Sequence, residues 1–149
     1  MSAQPESLPQ RIETLVEEFA DLEPRERLEL LLEYAESLPA LPAAYEAERL
    51  AGGHRVHECQ TPVFLWADLN EGRVQISAWV APEAPTVKGF VGIVRELFSG
   101  VEPAEATAVD ANLVQRLGLN ESLGMVRMRG LSAVLFYVKK NIQSLVDVS

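Results

Sequence analysis

The chain is poor in reactive side chains, with one cysteine and two histidines among 149 residues, and it has no surplus of positive charge. Each shortage removes a class of function. One cysteine cannot close an internal disulfide, and no second Cys/His cluster exists to complete a four-ligand structural zinc site. A net charge of −9 and a pI near 4.7 leave no basic footprint, so neither nucleic acid nor an anionic membrane surface is expected as a partner. No apolar run approaches the roughly 18 residues of a membrane span. Walker and dinucleotide-binding patterns, internal repeats and low-complexity tracts are likewise missing. Met1-Ser2-Ala3-Gln4-Pro5-Glu6 lacks the basic and apolar regions of a signal peptide. These absences lead to the expectation of a cytoplasmic protein with no resident metal or cofactor.

What remains suits one domain, residues 1–149, with 48% hydrophobic and 23% charged residues. The acidity is uneven: residues 1–50 carry 12 acidic and 4 basic side chains, −8 of the total −9. Ser7 is placed to cap a helix whose stripe is Leu8, Ile12, Leu15, Val16 and Phe19, ending near Ala20. Pro24 opens a second, with Leu28, Leu31, Leu32, Ala35 and Leu38, which stops before Pro39. The two are expected to pair as a helical hairpin with glutamates on a solvated outer face. After the stiff Leu38–Pro42 connector and a short helical piece over 43–50, the period changes to two. Val63–Leu69 and Arg73–Val80 predict a β-hairpin through Asn70-Glu71-Gly72, with Trp66 and Trp79 packing across it or closing one edge. Val87, Phe90, Val91, Val94, Leu97 and Phe98 predict a covering helix, in which Gly89 and Gly92 imply close approach of another backbone. Two short helices and a long one through Met128, Leu131, Leu135, Val138, Ile142 and Leu145 complete an α+β fold, a small antiparallel sheet covered by helices.

The only cysteine and both histidines fall in one stretch, Gly52-Gly53-His54-Arg55-Val56-His57-Glu58-Cys59-Gln60-Thr61-Pro62. Gly52 and Gly53 offer a hinge, and Pro62 stiffens the chain before the first strand. If residues 55–59 are extended, Arg55, His57 and Cys59 share a face and Glu58 points away. Two cationic neighbours then favour the thiolate, the reactive form, over the free thiol with its pKa of about 8.5. A second possibility stays open, because free cysteines are often buried and pack as small hydrophobes. Zinc on His54, His57 and Cys59, with or without Glu58, lacks a complete ligand set. His57 as a base for a Cys-His hydrolase has no orienting third group.

The chain resembles the SufE family of sulfur acceptors over roughly residues 10–145. The family's cysteine loop, Gly-Cys-x-Ser-x-Val-Trp, is matched by Cys59, Gln60 and Val63 within Glu58–Phe64. Leu38-Pro39-x-Leu41-Pro42, Val87-Lys88-Gly89, Arg127 and Gly130-Leu131 follow in the expected order. Glu58 stands in place of the loop glycine, Thr61 in place of serine, Ser122 where histidine is frequent and Arg129 where an amide is. The resemblance implies a fold similar to that of the iron–sulfur scaffold class, which needs several thiolates that this sequence lacks. It implies that Cys59 takes persulfide sulfur from a pyridoxal-phosphate cysteine desulfurase and relays it to an iron–sulfur cluster scaffold. Such a protein activates the desulfurase and is its transfer partner rather than a stand-alone enzyme. His54, Arg55, His57 and Arg127 are the side chains near enough in sequence or motif to assist. The alternatives are a noncatalytic adaptor whose cysteine only packs and a zinc-binding module. The resemblance also implies that the loop rests sheltered, while the carboxylate of Glu58 should favour an outward loop, since burying it unpaired costs several kcal/mol.

Overall fold

Ser7 caps the first helix, α1 (Leu8–Ala20), in a reciprocal box: its hydroxyl accepts from the Gln10 N–H, and the Gln10 side chain accepts from the Ser7 N–H. In the computed structural model, which describes residues 6–148, α1 buries Leu8, Ile12, Leu15 and Phe19. Pro24 opens α2 (Pro24–Ser37), where its missing N–H costs nothing. The chain then passes through the Leu38–Pro42 connector and a 3-10 turn, Ala43–Tyr45, into α3 (Glu46–Leu50).

The expected α1–α2 hairpin is replaced by another pairing, because α2 lies chiefly along α4 (Pro85–Phe98). Gly89 and Gly92 are the reason. A Cβ on Gly89 would run into the Leu31 carbonyl and one on Gly92 into the Tyr34 carbonyl, so the two helix backbones touch only because both side chains are absent. Each glycine forgoes about 1 kcal/mol of helix propensity relative to alanine, and close packing against Leu31 and Tyr34 offsets it.

Strands β1 (Val63–Asn70) and β2 (Arg73–Val80) pair antiparallel from Val63↔Val80 to Asn70↔Arg73. Glu71 and Gly72 have φ of 55° and 80°, which makes a two-residue turn whose twist matches the strands. One face, with Val63, Leu65, Val74, Ile76, Ala78 and Val80, is buried against α4 and the long α7 (Met125–Val148). The other face carries Phe64, Trp66 and Trp79. The tryptophans do not pair with each other: Trp79 meets Phe64 edge-on at 5.9 Å and takes the Arg49 guanidinium on its ring, while Trp66 stacks with His54 and meets the Tyr45 ring at a tilt. Helices α5 (Pro103–Thr107) and α6 (Leu113–Arg116) link α4 to α7, and Gly118, with φ of 69°, closes the second as expected. The architecture is α+β, and among the described residues no helix is long and apolar enough to cross a membrane.

Candidate functional site

The cysteine loop is clamped at its base. The Val56 N–H donates to the Val63 carbonyl at 2.8 Å, the Leu65 N–H to the His54 carbonyl at 2.9 Å, and Arg55 bridges Phe64. The segment outside the clamp is therefore 57–62. Gly52 and Gly53 lie beyond it, where Gly52 turns with φ of 84° and the Gly53 N–H satisfies the Glu48 carbonyl at the end of α3. They finish a helix and are not the hinge expected from their sequence position.

Residues 55–59 are not extended. The Cys59 N–H donates to the Val56 carbonyl at 3.2 Å, closing a four-residue turn that sends Val56 and Cys59 inward and His57, Glu58 and Gln60 outward. Periodicity of two fails because a turn brings its first and fourth residues to one side. Cys59 is 3% exposed and belongs to the main core cluster. Its sulfur rests on α7 at Gly130, where a Cβ would lie only 3.2 Å from Sγ.

Burial pushes the thiol's pKa up; the Thr61 N–H and the positive charge of Arg55 pull it down, but by less. The expectation of a thiolate favoured by cationic neighbours is thus reversed in this conformation, and the thiol is protonated at neutral pH. Desolvation outweighs the neighbours because His57 is turned into solvent and, among the described residues, Arg55 is the cation that acts on the sulfur. Glu58 is also in solvent, so the inward loop buries no carboxylate, and the expected outward bias has no cause. The charge of Glu58 is felt instead at Tyr137 on α7, whose hydroxyl is raised mainly by burial, with Glu58 adding to it.

His54 braces the loop's first arm. Its ring stacks on Trp66 at 5.1 Å and its Nε2 meets the Glu48 carboxylate at 3.0 Å. It is occupied with that brace and not with the sulfur. Among the described residues no group of three or more His, Cys, Asp and Glu side chains is placed to hold a metal ion. Arg127 is exposed and shares with Gln60, Thr61, Pro62 and Glu83 a cleft of about 340 Å³ beside the loop. Ser122 donates to the Pro24 carbonyl at 2.9 Å, tying the start of α2 to the segment before α7. Gly130 is the residue whose part at the site sequence reasoning missed. Its signal was the one already used for Gly89 and Gly92, a glycine inside an apolar helical stripe.

A hairpin backed by helices, with one thiol turned inward from a short clamped loop, defines the chain as an α+β protein with a single sheltered thiol. It belongs to the SufE family: the model of the SufE, Fe-S metabolism associated domain matches residues 13–142. An uncharacterized SufE-like protein of Mycobacterium tuberculosis is 34% identical over 140 residues, covering 93% of this chain and 96% of that one. Another, from Synechocystis, is 29% identical over 125 residues, covering 83% of this chain and 75% of its own. The solution structure of a hypothetical protein from Thermus thermophilus superposes with a TM-score of 0.79 at 35% identity, covering 92% of this chain and 96% of that one. Family membership associates the chain with iron–sulfur metabolism.

Proposed function

We propose that Cys59 is the sulfur acceptor for a pyridoxal-phosphate cysteine desulfurase and relays the sulfur to an iron–sulfur cluster scaffold. The observation that carries this is the sheltered position of a lone thiol on a loop of six residues with a fixed base. A free persulfide is open to attack by other thiols, so a carrier benefits from a buried rest state and brief exposure on docking. In the transfer, the Cys59 thiol loses its proton and the thiolate attacks the outer sulfur of the desulfurase persulfide. A bond forms from Sγ to that sulfur, the desulfurase's own S–S bond breaks, and its cysteine leaves as the thiolate. No external oxidant or reductant is consumed, because one thiolate and one persulfide are exchanged for another such pair. Leaving the seat on α7 removes the desolvation that keeps the proton on, so docking and activation coincide.

The burial of Cys59 also fits an adaptor whose cysteine only packs. Intact-mass measurement separates the two. With a desulfurase and cysteine, the chain is expected to gain one sulfur atom that reductant removes, and Cys59→Ser is expected to gain none. An unchanged mass beside an active desulfurase favours the adaptor.

A further inference from the structure

Gly130 sits within α7, and its φ is not positive, so it does not need a glycine's backbone freedom. A glycine there is a poorer helix former than alanine. Outside its own helix and chain neighbours, a Cβ at this position would meet one heavy atom within 4 Å, the sulfur of Cys59 at 3.2 Å. Gly124, just before α7, has nothing within that distance. The space made by the missing side chain is therefore specific to the cysteine. One partner in this contact is held fast: Gly130 is buried, and Leu131 and Val134 beside it on α7 are fully buried. The other is the tip of a loop whose residues His57, Glu58 and Gln60 all face solvent.

We propose that Gly130 is a positioning residue for Cys59, its absent side chain forming the seat that holds the sulfur in the sheltered state and so setting how readily the thiol is presented. This rests on the carrier role proposed above for the purpose the seat serves, but not for its existence. A methyl group at residue 130 cannot retreat into the core, so the sulfur and the loop tip move outward. Loop opening becomes easier while the clamp at Val56 and Val63 stays in place.

The test uses the full chain and iodoacetamide. In Gly130→Ala, alkylation of Cys59 is expected to quicken by roughly tenfold, the scale of a modest overpacking penalty. The pH at which alkylation is half-maximal is expected to fall, because the thiol ionises in a wetter place. Arg55, His57, Glu58, Tyr137 and the Thr61 N–H, which surround the sulfur or the loop, are the same in both proteins, so the change of midpoint reports the seat. Thermal unfolding completes a cycle with Cys59→Ala, which takes the sulfur away. There Gly130→Ala is expected to raise the melting temperature, as alanine does in a helix, and to raise it less or lower it where the sulfur is present. Equal alkylation rates and midpoints in wild type and Gly130→Ala overturn the proposal, as does the same stability change with and without the sulfur. A chain that shows the alkylation change but never gains sulfur from a desulfurase upholds the seat and removes the carrier role.

Discussion

Two of the contacts that this protein makes by leaving out a side chain behave differently because of what fills the gap. Between α4 and α2 the space at Gly89 and Gly92 is taken by the carbonyls of Leu31 and Tyr34, which belong to a helix and cannot swing away. Between α7 and the cysteine loop the space at Gly130 is taken by a side-chain sulfur on a short turn with solvent on its far side. The same device gives a permanent core joint in one place and a releasable seat in the other. The tether of the partner decides which.

The largest effect is expected where the joint is permanent. Gly92→Ala is expected to destabilise the fold by about 3 kcal/mol or more, because backbone meets backbone and both helices must part. Urea unfolding checks it. In Gly130→Ala the loop moves instead, and the loss is expected to be well below that value. A comparable loss at both positions would erase the distinction between joint and seat.

A smaller effect separates the two contacts by pH. The seat holds the protonated thiol, with its pKa raised by burial above the free-thiol value of about 8.5. Below that value both folded and unfolded chains keep the proton, and the contact contributes in full. As pH rises through it, the unfolded chain loses its proton first, so the folded state holds more protons and stability falls until the folded thiol also ionises. Tyr34, pushed up to about 12 chiefly by burial, weakens the fold in the same direction at alkaline pH. The informative quantity is thus the difference between wild type and Cys59→Ser, in which the tyrosines cancel. It is expected to shrink steadily above about pH 8.5, measured as melting temperature in matched buffers. A difference independent of pH would mean that the sulfur is already wet at rest.

The α4 joint was legible in the sequence and the seat was not, for a reason that applies to the whole fold. Helices and strands announce themselves through local periodicity: the stripe of α1, the capping Ser7, Pro24 and the alternation Val74, Ile76, Ala78, Val80 all lie where expected. Gly89 and Gly92 reveal that something comes close, but not that it is α2. Partners separated in sequence are set by packing, which is why α2 lies on α4, Trp66 meets His54, and the loop base is closed by Val56 and Val63. The cysteine itself was visible as the one candidate nucleophile. Its shelter followed from the family resemblance alone, because Val56–Cys59 contains no glycine or proline to mark the reversal that turns it inward.

The smallest effect concerns Glu58, the residue that stands in place of the glycine of the SufE loop pattern. Two reasons for a large effect fall away in the structure. The carboxylate is in solvent while the sulfur is sheltered, so no charge is buried by the inward turn. Among the described residues the positive φ values of non-glycine residues belong to His54 and Glu71, so the backbone at Glu58 makes no demand that only glycine meets. Glu58→Gly is therefore expected to leave iodoacetamide reactivity within about twofold of wild type and to lower stability by less than about 1 kcal/mol, the extra freedom of glycine in the unfolded chain. A reactivity that drops tenfold would show that the side chain of Glu58 holds the loop partly open. The seat at Gly130 would then share its control of Cys59 with a charge on the opposite side of the turn.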